Sequence, residues 1–128
     1  MNDLPKDTRY AANDQWVRAD RGNIVQVGLT QRAEALADVV HVTLPTVGAT
    51  VVAGDLLGSI ENTEGEVQIA SPVSGIVIDV NQSIAETPDA LTRDSAHDTW
   101  LFEIELTDEA ELTDLMDQER YGEYVQEN

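Results

Sequence analysis

Four carboxylates, Asp55, Glu61, Glu64 and Glu66, sit close together in a polar part of the chain. Grouped, they could gather a hard cation, which takes oxygen ligands. Their spacing matches no known cation-binding loop, so solvated side chains account for them and no metal site is expected. Nitrogen chemistry is scarce. His41 and His97 are the only histidines. His97 stands beside Asp98 and could serve as an oriented base. No nucleophile is evident for it, because Ser71 and Ser74 belong to the turn motif Ser71-Pro72-Val73-Ser74-Gly75. A catalytic triad needs three roles placed together, and nothing in this sequence does so. The chain has no cysteine, hence no disulfide, thiolate metal site or thiol nucleophile. Gly54, Gly58 and Gly75 are not followed by the Gly-Lys-Ser/Thr of a phosphate loop. Lys6 is the only lysine. No catalytic residue is expected.

The elements that would carry these groups are mostly short strands. Ile24–Gly28 is extended and β-branched. Val40, Val42 and Leu44 alternate onto one face, with His41 on the other and partly exposed. Ile76, Ile78 and Val80 form another such set across Asp79. Trp100, Phe102, Ile104 and Leu106 line one side of a strand whose other side shows Glu103 and Glu105. Glycines and prolines from Pro45 to Gly75 mark the turns between them. Thr30 can cap a short helical turn over Gln31–Ala37. Asp108 and Glu111 have the spacing of a capping box. It precedes a helical stripe of Leu112, Leu115 and Met116, with a break expected at Gly122. Trp16 and Trp100 are expected as core anchors. The core should hold Val40, Val42, Ile60, Val73, Ile76, Ile78, Trp100, Phe102 and Ile104. Two apolar arms, Val51–Glu61 and Val67–Val77, flank Asn62-Thr63-Glu64-Gly65-Glu66. They describe a β-hairpin with an exposed turn.

The 128 residues fit one domain over 14–128, preceded by a loose polar arm over 1–13. Twenty-five acidic against seven basic residues leave a net charge of −18. Such a chain repels phosphate backbones and anionic lipid surfaces, which excludes nucleic acid and membrane as partners. It attracts basic protein patches, although solubility alone would explain the same acidity. The opening Met1–Asp7 lacks the charged-then-apolar pattern of a signal peptide, so a cytoplasmic location is expected.

The order of motifs carries a resemblance. Gly54-Asp55, Gly58, Glu61 and Ser71-Pro72-Val73-Ser74-Gly75 resemble lipoyl and biotinyl domains. Gln15-Trp16-Val17, Val27-Gly28-Leu29-Thr30, Ala35–Val40, Leu44-Pro45-Thr46-Val47-Gly48, Asp79-Val80-Asn81 with Pro88, and Trp100-Leu101 resemble successive blocks of the glycine cleavage H-protein family. The resemblance covers roughly residues 9–125. It implies a mainly β fold, a flattened lipoyl/biotinyl-type β-barrel (a barrel-sandwich hybrid) with a short N-terminal helix and a C-terminal helix. It also implies that the chain is not an enzyme.

The family's tip reads like Glu-Ser-Val-Lys-Ala, with lipoate on the lysine. Here the stretch is Glu61-Asn62-Thr63-Glu64-Gly65, which puts Glu64 at the attachment position. An amide needs an amine nucleophile, and a carboxylate supplies none, so lipoate is not expected. A second departure is Thr92–His97, where the family has Asn-x-Asp-Pro-Tyr-Gly. Two readings follow. In one, the chain is a non-lipoylated binding or scaffold module. It contacts proteins that recognise H proteins, namely glycine decarboxylase, aminomethyltransferase or lipoyl-attaching enzymes. The candidate contacts are Glu61, Asn62, Thr63, Glu64, Gly65 and Glu66. In the other, it is a carrier with altered chemistry at Glu64 serving a pathway-specific enzyme, or a divergent H protein of glycine cleavage.

Overall fold

The computed structural model describes residues 8–11, 14–30, 38–91 and 99–127. The helical turn expected over Gln31–Ala37 and the stretch Thr92–Asp98, His97 included, lie outside the described residues. The strands are β1 (Arg9–Ala11), β2 (Gln15–Arg21), β3 (Ile24–Leu29), β4 (Val39–Thr43), β5 (Thr50–Val51), β6 (Leu56–Asn62), β7 (Gly65–Ala70), β8 (Gly75–Val80) and β9 (Trp100–Leu106). Among the described residues three short helices accompany them: α1 (Gln82–Glu86), α2 (Ala110–Asp114) and α3 (Gln118–Glu127), with a 3-10 turn at Pro88–Ala90. Six strands form one antiparallel sheet in the order β1-β2-β3-β9-β8-β5, and three form a second in the order β4-β6-β7. The ladders stay separate, so the mainly β flattened barrel is a sandwich of two sheets.

Alternation builds the core. In the large sheet Val17, Val27, Phe102 and Val80 pair in one row across four strands. Ala19, Val25, Ile104 and Val77 pair in the next. The small sheet presents Val42 and Ile60 in register, and Ile69 is buried beside them. Side chains on alternate positions point inward, so these rows meet in one cluster with Val73, Leu91 and Leu112.

Two expected faces are corrected by bulges. Val40 is 52% exposed, and Val39 and Val42 are the inward residues of β4. The register shifts between Val39 and His41, which turns Val40 outward and breaks the strict alternation. In β8 the shift lies between Val77 and Asp79. Val77 and Val80 therefore point inward, and Ile76 and Ile78 are half-buried. Trp100 is half-buried too. Glu103, expected on the solvent side, is 4% exposed, because Gln26 Nε2 donates to it at 3.1 Å and the Arg21 guanidinium lies 3.5 Å away. The other expected core residues, Val42, Ile60, Val73, Phe102 and Ile104, are buried.

Trp16 is buried as expected, but on the outer face of the large sheet. Tyr10, Trp16, Gly28 and Trp100 pair in one row there. A β-carbon at Gly28 would overlap the Trp16 ring and lie 2.7 Å from the Thr99 carbonyl oxygen. Only glycine leaves that seat open. The Arg18 guanidinium lies 4.6 Å over the indole. Arg9–Ala11, within the stretch expected as an arm, are a strand paired with β2.

The tail is held by side chains. Asp108 Oδ1 accepts from Ala110 N at 3.1 Å, but Glu111 does not reach back to complete the capping box. Its carboxylate instead accepts from Ser74 N at 2.6 Å and Ser74 Oγ at 2.9 Å. Ser74 O also accepts from Thr107 N, just after β9, at 3.2 Å, so binding the two Ser74 donors ties α2 to the start of β8. The helical break falls at Leu115–Asp117, and Gly122 sits inside α3. Met116 exchanges two backbone hydrogen bonds with Tyr10 at that break. Tyr121 of α3 stacks on Tyr10 with ring centroids 4.4 Å apart. Its hydroxyl donates to Asp14 Oδ1 at 2.8 Å and lies 3.0 Å from Thr30 Oγ1. Tyr121→Phe keeps the stacking and removes these bonds. It should cost about 1–2 kcal/mol, read as a lower denaturant midpoint with an unchanged slope. An unchanged midpoint would mean that stacking alone holds α3.

Candidate functional site

The expected hairpin is β6–β7. Its turn is two residues long, Thr63-Glu64, and closes on the Asn62–Gly65 pair. Two-residue hairpin loops ordinarily place positive φ within the loop. Here the positive φ falls on Gly65, at 147°, where a side chain would be strained. Asn62 Oδ1 accepts from Glu64 N at 2.9 Å, an Asx-type turn that fixes the tip locally.

The candidate contact residues do not all face outward. Glu61, Thr63, Glu64, Gly65 and Glu66 are exposed, while Asn62 is buried and serves the turn. Glu61 pairs with Glu66 on one side and His41 on the other, so two carboxylates share one cross-strand row. Like charges directly opposite repel. Glu66 is accommodated because Ser59 Oγ donates to it at 3.2 Å and Gln68 Nε2 at 3.0 Å. Neither donor had a sequence signal beyond strand alternation.

Asp55 does not join this group. It stands before β6, at the end opposite the tip, where its carboxylate accepts from Val52 N at 2.9 Å. Among the described residues no cluster of three or more His, Asp or Glu is placed to hold a metal. The serines are engaged structurally as well. Ser71 Oγ donates to Val73 O at 2.6 Å. Ser74 Oγ accepts from Ala53 N at 2.9 Å and donates to Glu111. No helix of the described residues is long and apolar enough to cross a membrane.

With a sandwich of this topology and an acidic hairpin tip, the chain can be set beside known proteins. The family model described as "Glycine cleavage H-protein" matches residues 8–128. The chain belongs to this family. A glycine cleavage system H protein of Marinobacter nauticus is 39% identical over 126 residues, covering 98% of this chain and 97% of the relative. One from Parvibaculum lavamentivorans is 41% identical over 121 residues, covering 94% and 96%. The crystal structure of an H protein from Mycobacterium marinum superposes with a TM-score of 0.81 at 30% identity, covering 96% of this chain and 99% of that one. As an H-protein family member the chain is not a catalyst.

The tip does not fit a covalent lipoyl group. Attachment through an amide takes an amine, and the hairpin between Leu56 and Ala70 holds no lysine. The residue at position 64 is an exposed carboxylate on a turn fixed by Asn62.

Proposed function

We propose that this H-protein family member works without a lipoyl arm, as a cytoplasmic docking module for proteins that recognise H proteins. Glycine decarboxylase, aminomethyltransferase and lipoyl-attaching enzymes are the partners this reading names. The observation that carries it is an H-protein hairpin whose exposed tip offers Glu61, Glu64 and Glu66 in place of an amine. A module of net charge −18 is steered to basic surfaces. That steering fades as salt shortens the screening length from about 10 Å at 0.1 M to about 3 Å at 1 M.

Calorimetry against purified partners should therefore find binding at low salt that added salt weakens. Charge reversal at Glu61, Glu64 and Glu66 should weaken it more than reversal at Glu109, Asp114 and Asp117, which lie on the tail. Equal effects from the two sets would mean that net charge, and no particular site, drives association. A second reading is favoured by the exposed Glu64 carboxyl on a turn whose backbone Asn62 fixes. The chain is then a carrier with altered chemistry there, serving a different enzyme. Intact mass separates the two: a docking module leaves a lipoate-supplied host unmodified, Lys6 included, and stays unmodified after incubation with partners.

A further inference from the structure

The small sheet ends abruptly at β7. Among the described residues β6 is the only strand paired with β7. The opposite edge strand, β4, has α1 and the Pro88–Ala90 turn packed against it. Edge strands are ordinarily blunted by proline, lysine or a bulge. β7 reads Gly65-Glu66-Val67-Gln68-Ile69-Ala70, with neither proline nor lysine. The only register shift in its pairing lies at the far end, between Leu56 and Gly58.

The side chains at this edge are unfinished in a specific way. Val42, Ile60 and Val67 form one row across the small sheet. Val42 and Ile60 are 2% and 0% exposed, but Val67, the last in the row, is 41% exposed. The core row runs out at β7 with an apolar residue still half in water. On the other face the adjacent row is His41, Glu61 and Glu66, which ends on a carboxylate. The backbone is open in the same register. The turn closes on the Asn62–Gly65 pair. Ladder bonds alternate from there, so Ile60 and Val67 are bonded to each other and Glu66 and Gln68 turn their N–H and C=O outward.

We propose that β7 accepts an extended segment of a partner protein as a fourth strand, one that alternates apolar with lysine or arginine residues. The main chain bonds to Glu66 and Gln68. The apolar residues cover Val67, and the basic ones lie beside Glu66, at the end of the row that begins with His41 and Glu61. Strand addition of this kind draws affinity from the main chain and specificity from alternate side chains. A second copy of this chain is a poor occupant, since it would bring a further −18 charge and set acidic residues beside the Glu61–Glu66 row. The inference deepens the docking reading and rests on it for the existence of such a partner.

The test uses the full chain and a short synthetic peptide alternating valine with lysine, followed by backbone amide exchange. The peptide should slow exchange at the Glu66 and Gln68 amides. A peptide alternating valine with glutamate should not. Gln68→Pro removes an outward N–H at an edge, where proline is tolerated, and should weaken peptide binding about tenfold or more. Val67→Lys, at an exposed position, should do likewise with its fold checked by circular dichroism. Protection confined to other strands overturns the inference, as does undiminished binding by both variants. Equal binding of the acidic peptide overturns the basic partner. Concentration-dependent protection of the same amides without peptide identifies a second copy as the occupant and overturns it too. Salt-sensitive binding to an H-protein partner that leaves the Glu66 and Gln68 amides unprotected would sink strand addition while the docking reading stands.

Discussion

Phe102→Ala should lower the free energy of unfolding by about 3–5 kcal/mol, the range for a large aromatic removed from a packed interior. Phe102 is fully buried. It sits in β9 between Val27 of β3 and Val80 of β8, at the middle of the large sheet, where neighbours on both sides are fixed by ladder bonds. The site cannot collapse readily around the missing ring, so the cavity adds to the lost transfer energy. Val40→Ala is the contrast. Its side chain is turned out by the β4 bulge, and truncation there should stay within about 0.5 kcal/mol. Denaturant melts of the two variants give both numbers. Comparable losses would mean that the bulge does not separate Val40 from the core.

Glu64→Lys should give the chain a lipoyl group when it is produced with lipoate and a lipoyl-attaching enzyme. The expected change is from an unmodified to an adducted intact mass. The substituted position is the second residue of a two-residue turn, exposed, with its N–H held by Asn62, and so it would present an amine where the carboxylate now stands. Gly65 should be kept, because its φ of 147° penalises any side chain. If the single variant stays unmodified, Asn62→Ser and Thr63→Val bring the flanking residues nearer to the family's tip. An unmodified mass in that variant as well would show that recognition has been lost beyond position 64.

The strands were legible wherever period-two alternation was uninterrupted. Phe102 and Ile104 point inward as their spacing requires, and the polar run before Gly65 marks the hairpin tip. Alternation failed at Val40 and at Ile76 and Ile78. A bulge depends on how two strands register against each other, and neither strand's own sequence records it. The buried Glu103 was hidden for a similar reason: its partners, Gln26 and Arg21, come from β3 and β2, far from β9 in the sequence. Asp108 and Glu111 show the limit of local motifs. Their spacing satisfies a capping box, yet Ser74 offers Glu111 two donors that only the folded chain brings near. The candidate site was legible as a place, while the division of labour within it was not. Asn62 and Gly65 shape the turn, and the remaining exposed residues make its surface.

The place of β9 in the large sheet bears on how the chain is made. β3 and β8 are neighbours of β9 and not of each other. Until residues 100–106 have been synthesised, the two halves of the sheet have nothing to join them. Each then carries an open edge, which is the kind of surface that draws chaperones or pairs wrongly. Pairings so distant along the chain form slowly. Assembly therefore waits for the last quarter of translation, and a fragment released before Trp100 cannot hold the six-stranded sheet together.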